Sequence, residues 1–467
     1  MKKNKTSDDK TLFKGQSFWI GERLIFIGSL ATFLFFALLL SLTQGSDVHL
    51  NYKRFLDFFF DSVSVGTLTG LFRGDAGLLN FSGQLIMLID MVINGLIISV
   101  ISVMLVVFVR LGFDNKKSLR AELHKMHIDS KNILLFILID FLLIWIIGTI
   151  LFYLFGSRTL WEAIFNAASH ILNDGVTAGT NSMIPFQQNI PILLSGAFLI
   201  TIGGFGTSIR GYMYKVFLNL VGLKKWASSI PESILAPKNF LFIVMLVTLV
   251  LQIFGATTMY SFERNNSHIF AKNVTETTKT ANTYYLSVAA RTAGFSTIPD
   301  LSQLSDKSIF IIMFLMTIGG ASGSFAGGVL KLTAFIYLFA YIISRIKGHF
   351  EIETPHKHLH FSERTAIEAN FRIIGFSSVL LIIILLLFLF QPHVSGLFLL
   401  FEAISAVTNT GFTLGATNAL NDISMLLLII LMIVGKVGFI TTVISFFPRY
   451  QLLIEKAEHD FDELPVD

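Results

Sequence analysis

The sequence predicts an all-α polytopic membrane protein in which four helix, re-entrant loop, helix repeats, with eight transmembrane helices in all, surround one central pore. Three observations predict it: a composition suited to lipid, apolar runs of spanning length, and four short glycine-bearing stretches at near-constant spacing. Of 467 residues, 53% are hydrophobic and 14% charged, with 47 Phe against 9 Pro. A soluble surface needs roughly 25–35% Lys, Arg, Asp and Glu, so lipid must be the solvent. The formal net charge is +4, and the basic residues fall in bursts between apolar runs, which argues against nucleic acid as a partner and for membrane topology. Cys is absent, so disulfides, thiolate metal sites and cysteine nucleophiles are excluded.

The chain opens on a basic segment, residues 1–23, holding Lys2, Lys3, Lys5, Lys10, Lys14 and Arg23. The run that follows, Leu24 to Leu42, has spanning length and no clear cleavage pattern, so it reads as a span rather than a signal peptide. Repeat 1 (24–110) pairs that run with Leu85 to Val109, and repeat 2 (133–222) pairs Ile133 to Phe155 with Ile190 to Phe205. Repeat 3 (239–346) pairs Phe240 to Met259 with Ile309 to Ile343, the latter interrupted by glycines. Repeat 4 (373–448) pairs Ile373 to Phe390 with Ile423 to Phe447, and a tail, 449–467, follows. The turns Arg110 to Lys131, Arg210 to Lys238 and Arg345 to Arg372 are rich in Lys and Arg, and the turns between them are poorer. By the positive-inside rule both termini are cytoplasmic, in a multi-pass protein of the cell membrane.

Each outside turn holds a semi-apolar stretch too short to span, then a polar turn with a glycine, the pattern of a re-entrant half-helix. Aligned on Gly70, Gly175, Gly294 and Gly411, the stretches are separated by 105, 119 and 117 residues, one pair of spans plus a loop each time. Phe60-Asp61-Ser62-Val63-Ser64, Phe165-Asn166-Ala167-Ala168-Ser169, Tyr284-Tyr285-Leu286-Ser287-Val288 and Phe401-Glu402-Ala403-Ile404-Ser405 occupy equivalent places. Four copies of one unit are implied.

A half-helix that enters from outside and ends near the midplane aims the negative end of its dipole, and its unpaired carbonyls, at the axis. Glycine after such a helix adopts torsions that turn carbonyls inward, where they replace an ion's hydration water. The lining sequences are Thr67-Leu68-Thr69-Gly70, Leu172-Asn173-Asp174-Gly175, Arg291-Thr292-Ala293-Gly294 and Thr408-Asn409-Thr410-Gly411. Only the glycine is common to all four, which predicts selection at about one site. The backbone carbonyls of this segment are therefore the expected cation ligands.

The four glycine loops, the run Arg291-Thr292-Ala293-Gly294-Phe295-Ser296-Thr297 and the break at Gly319 to Gly328 resemble the Trk/Ktr/HKT superfamily. The likeness covers nearly the whole chain, and its length and short N-terminus look more like the Ktr membrane (KtrB-like) subunit than the larger Trk one. That resemblance implies potassium uptake by a homodimer of four-unit pores, with Na⁺ as an activator and no covalent cofactor. It also implies a cytoplasmic regulatory partner, a KtrA/KtrC-like octameric ring that binds the nucleotide; basic turns near Lys224, Lys225 and Arg345 to Lys347 are in place to meet it. In plant relatives a serine in the first loop accompanies sodium preference; Gly70 stands here. The stretch Gly319-Gly320-Ala321-Ser322-Gly323-Ser324-Phe325-Ala326-Gly327-Gly328 matches the intramembrane gating loop of similar proteins. Lys436, inside the last apolar run where the family usually has arginine, reads as an electrostatic barrier near that gate.

Other residues leave alternatives open. Asp174 either coordinates the cation or holds its loop by hydrogen bonds; Arg291 reads as half of an ion pair propping the filter loop. Asp90 and Asp140 are pairing groups or proton carriers. His170 reads as a packed or pore-facing residue, and His356, His358 and His360 as solvated ones. A hydrolytic Asp90/Asp140 pair would make an intramembrane enzyme, and broken helices in inverted halves a proton- or sodium-coupled solute carrier of another fold. Four parallel copies argue against both, and no Walker loop, triad or dinucleotide fingerprint is present.

Overall fold

The computed structural model describes residues 7–44, 55–110, 130–231, 235, 238–270, 274–321, 324–326, 332, 336, 346 and 363–437. Long apolar runs form helices at all eight expected positions: α1 (Ser7–Gln44), α3 (Phe81–Arg110), α4 (Ser130–Phe155), α6 (Ile190–Gly204), α9 (Lys238–Glu263), α11 (Asp306–Thr317), α12 (Glu363–Phe390) and α14 (Asp422–Val437). The short stretches between them form α2 (Phe55–Gly66), α5 (Leu160–Leu172), α10 (Glu276–Ala289) and α13 (Gly396–Val407). Two more helices, α7 (Thr207–Leu220) and α8 (Lys224–Ser228), follow α6. Among the described residues there is no strand.

Polar side chains open several of these helices. The Thr159 hydroxyl accepts from Glu162 N at 3.1 Å, Thr275 from Thr278 N at 3.2 Å and Ser305 from Ser308 N at 3.4 Å, each satisfying a first-turn donor. The short helices α2, α5 and α13 each pack on the two long helices that flank them in the chain, and α10 packs on α9 before it. Each also leans on the long helix that ends the preceding group: α5 on α3, α10 on α6, α13 on α11, and α2 on α14, so these contacts close a ring. Outward faces stay apolar, with Leu38, Ile139, Ile146, Leu154, Phe242, Val250, Leu385 and Leu389 exposed. Such a coat fits hydrocarbon rather than water.

Among the described residues, the stretches Phe26–Gln44, Asn132–Phe155 and Leu241–Glu263 are long and apolar enough to cross a membrane unaided. The predicted span Ile190 to Phe205 is instead the first limb of a broken one, since α6 and α7 meet at 110°. Fifteen residues of helix rise about 22 Å, short of a hydrocarbon core of about 30 Å. The break falls in Gly203-Gly204-Phe205-Gly206, where a side chain on Gly203 would collide with the carbonyl of Ile171. Similarly α11 stops at Thr317, just before Gly319 and Gly320.

The freed carbonyls at the 110° bend are answered by one buried cation. Arg210 donates through Nη1 to the carbonyls of Ile202 and Phe205, and through Nη2 to the Thr207 hydroxyl at 3.2 Å. Its Nε and Nη2 reach Asp140 at 2.8 and 2.7 Å, and the Tyr214 hydroxyl donates to the other Asp140 oxygen at 2.7 Å. Asp140 is thus a structural ion-pair partner, with no free carboxylate to relay protons. Replacing Arg210 by Ala strands this buried carboxylate and is expected to destabilise the purified protein by about 3–5 kcal/mol, seen as a lower melting temperature. Arg210→Met with Asp140→Leu removes the stranded charge and should recover part of that loss, the carbonyls of Ile202 and Phe205 still lacking their donor.

Candidate functional site

Three of the four short helices end in the same way. In α2, α5 and α13 the residue two before the glycine turns left-handed: Leu68 at φ 54°, Asn173 at 58° and Asn409 at 51°. The next N–H then reaches back five residues, Thr69 to Ser64 O at 2.8 Å, Asp174 to Ser169 O at 3.0 Å and Thr410 to Ser405 O at 2.9 Å. This Schellman-type ending lets the helix stop abruptly with its last carbonyls still aimed along its axis. In the third loop the left-handed residue again stands two before the glycine, Thr292 at φ 79°, but the five-residue bond falls one residue later, from Gly294 N to Ala289 O at 3.0 Å.

Gly70, Gly175, Gly294 and Gly411 then have φ of 83°, 90°, 66° and 93°. They meet in a closed cycle. A Cβ on Gly70 would strike the carbonyl oxygen of Asp174, one on Gly175 that of Ala293, one on Gly294 that of Thr410, and one on Gly411 that of Thr69. All four approaches are under 3.0 Å, closer than real Cβ contacts come. The main-chain oxygens of Thr69, Asp174, Ala293 and Thr410, one from each loop, therefore lie against the glycine of a neighbouring loop. Four helix C-termini bring their negative ends toward the same cycle.

The loops are held from behind by side chains nine residues before each glycine. Asp61 accepts from Arg73 N and Asn166 from Ala178 N, both at 3.0 Å, while Glu402 accepts from the Thr413 and Thr417 hydroxyls. The fourth, Tyr285, bonds His170 Nε2 at 2.8 Å; His170 Nδ1 meets Asn166 O at 2.7 Å, and its ring stacks on Phe295 at 3.8 Å. His170 is a packed residue between α5 and α10, and no group of metal-ligating side chains occurs among the described residues.

Asn173 and Asn409 tie the loops to the long helices. Asn409 Nδ2 donates to Met432 O and to the Thr69 hydroxyl, both at 2.9 Å. With its side-chain amide turned so that nitrogen and oxygen exchange places, Asn173 donates to His170 O at 2.9 Å and to Ile200 O at 3.3 Å. The hydroxyl pairs Thr67–Thr69 at 2.7 Å and Thr408–Thr410 at 2.8 Å brace loops one and four. Gly203 and Gly435, unremarked in the sequence, make these ties feasible: a side chain on either would hit the last turn of α5 or α13. Leu68 was equally silent, because nothing in a leucine announces a left-handed position.

Arg291 is buried, but its partners are carbonyl oxygens rather than the expected carboxylate: Gly319 O at 2.9 Å and Ile318 O at 3.4 Å. It caps the broken end of α11. From there Ala321 N donates to Gly204 O at 2.9 Å and Phe325 N to Gly203 O at 3.2 Å, seating the segment on the broken end of α6. The Arg210 guanidinium lies 4.6 Å from the Phe325 ring centre. Gly320 has no room for a side chain against Ala326, Ser324 and Gly204. Of the expected gate, Ser322, Gly323, Gly327 and Gly328 lie outside the described residues, as do the tail 449–467 and His356, His358 and His360. Asp90 is buried and takes bonds from Ser62 and from Asn94 at 3.1 and 2.6 Å. It lies in α3 and Asp140 in α4, each engaged with its own partners rather than with the other.

A family profile described as TrkH, cation transport protein, matches residues 112–452. The chain belongs to the TrkH family of cation transport proteins. Members of this family move ions and are not enzymes, and the chain is accordingly a membrane cation transporter. Its relatives include the potassium/sodium uptake protein NtpJ of Enterococcus hirae, 29% identical over 90% of each chain. The Ktr system potassium uptake protein D of Bacillus subtilis is 27% identical over 83% of this chain and 84% of that one. The crystal structure of the potassium transporter TrkH from Vibrio parahaemolyticus superposes with a TM-score of 0.67 over 91% of this chain and 85% of that one, at 18% identity. At that identity the superposition speaks for the fold alone.

The interlocked glycines of this TrkH-family chain permit a contrast. Gly415 has the same φ as Gly411, 93°, but open space around it. Gly415→Ala is expected to cost only the left-handed strain, about 1–2 kcal/mol, and to keep ion uptake. Gly411→Ala, which adds a collision with the Thr69 carbonyl, should abolish uptake while the protein still purifies; tracer-ion flux into proteoliposomes reads the difference.

Proposed function

We propose that this chain takes up potassium across the cell membrane through four helix, re-entrant loop, helix repeats whose glycine loops form one selectivity filter. The observation that carries this reading is the cycle in which each filter glycine faces the preceding residue's carbonyl on another loop. Four such oxygens, Thr69, Asp174, Ala293 and Thr410, can replace the equatorial water of a cation passing along the axis, with four helix dipoles favouring positive charge. The flanking Thr67, Asn173, Thr292 and Asn409 hold the ring's geometry. The names of the relatives, potassium/sodium uptake and Ktr potassium uptake, support the choice of ion and leave room for Na⁺ as a second ion.

In this reading eight helical segments cross the bilayer, those begun by α6 and α11 being broken, with both termini in the cytoplasm. The segment from Gly319 to Gly328 is the gate, held shut by Arg291 at one end and by the broken α6 at the other. Lys436 adds a positive charge on the same side. Control comes from outside the chain: two copies form the membrane unit, and a cytoplasmic ring of nucleotide-binding subunits pulls on the basic inner turns.

Growth of a potassium-uptake-deficient strain at low K⁺ tests the filter. The intact chain is expected to rescue growth, and Gly70→Ser and Gly294→Ser to reduce Rb⁺ uptake at least about tenfold, since each puts atoms where a carbonyl sits. Equal rescue by all three overturns the assignment. Deleting residues 321–326 should raise flux in liposomes, and unchanged or lower flux removes the gate.

A further inference from the structure

The ring of carbonyls is nearly fourfold, but the side chains of the four residues that supply them are not. Thr69, Ala293 and Thr410 are neutral, whereas the second loop presents Asp174. Its carboxylate is fully buried, and neither oxygen has a hydrogen-bond partner. The loop-bracing bond that would have explained an aspartate in this turn is therefore not made. Thr69 and Thr410, at the equivalent places, are both braced by hydroxyl pairs.

An ionised carboxylate with no donor inside a protein is strongly unfavourable unless a positive charge balances it. Two charged groups on neighbouring helices act on it, Asp90 of α3 and Lys436 of α14. Asp90 has the same sign and is engaged with Ser62 and Asn94. Among the described residues Lys436 is the positive group that acts on it, and a cation on the ring itself is the other source of positive charge. Because the Asp174 carbonyl belongs to that ring, its carboxylate and a bound ion are held close by the covalent geometry of one residue. At such separations in a poorly polarisable surrounding, attraction is large compared with thermal energy.

We propose that Asp174 is the affinity-determining residue of the filter: its carboxylate supplies the fixed negative charge that sets how tightly the four carbonyls hold a dehydrated monovalent cation. This rests on the filter reading given above. Lys436 competes with the ion for that charge, so removing either group moves cation affinity in opposite directions, although neither is a ring ligand through its side chain.

The test uses the full-length protein, with two readouts: the KM of Rb⁺ uptake in proteoliposomes and the KCl concentration that half-stabilises the purified protein against heat. Asp174→Asn, of the same shape without the charge, is expected to raise both about tenfold, with the maximal rate within about twofold. Asp174→Glu, which keeps the charge, should restore part of the affinity. Unchanged KM and unchanged KCl midpoint in Asp174→Asn overturn the proposal, as does a fall in rate alone. Lys436→Gln removes the competing charge and should lower the KCl midpoint; it carries the test if Asp174→Asn does not purify as one species, and an unchanged or higher midpoint there is also fatal. A wild-type protein with neither Rb⁺ uptake nor any KCl response overturns the filter reading itself.

Discussion

Everything in this molecule depends on four turns packing so closely that the backbone oxygen of one takes the space a side chain would need on the next. Gly70, Gly175, Gly294 and Gly411 are required twice, once by φ between 66° and 93° and once by the lack of room for a Cβ. The rest of the architecture serves that approach. The short helices stop abruptly through left-handed residues, polar side chains nine positions back tie the outgoing limbs of three loops, and two asparagines fasten the loops to the long helices.

A second layer of backbone breaks lies beside the first. Irregular chain at membrane depth must have its polar groups satisfied by protein or water, and here two buried arginines do much of it. Arg291 takes the carbonyls at the end of α11, and Arg210 those at the end of α6. The segment beginning at Gly319 joins the two breaks through Ala321 and Phe325, which bond the carbonyls of Gly204 and Gly203. A movement of α7 would therefore be felt at Phe325, because Arg210 belongs to both.

Much of this was legible in the residues. The apolar runs, the four glycines and the break at Gly319 are patterns of spacing, and spacing survives without a structure. That His170 is packed or pore-facing rather than a metal ligand followed from its lack of a metal-spaced partner; which of the two it is came only from its contacts with Tyr285, Asn166 and Phe295. What could not be read were contacts between residues distant in sequence. Arg210 and Asp140 are 70 positions apart, and nothing in either local context names the other. The break of the Ile190 to Phe205 run was hidden because hydropathy does not register the close approach of Gly203 to Ile171. Arg291 was expected to meet a carboxylate; its neighbours are carbonyls, since a helix end offers the same negative charge without an acidic residue.

The central claim is that four main-chain oxygens form one cation site. Anomalous scattering from crystals grown with Tl⁺ in place of K⁺ measures it directly. The account predicts a strong peak on the axis, equidistant from the carbonyl oxygens of Thr69, Asp174, Ala293 and Thr410. Tl⁺ density elsewhere, with none inside that ring, would contradict it.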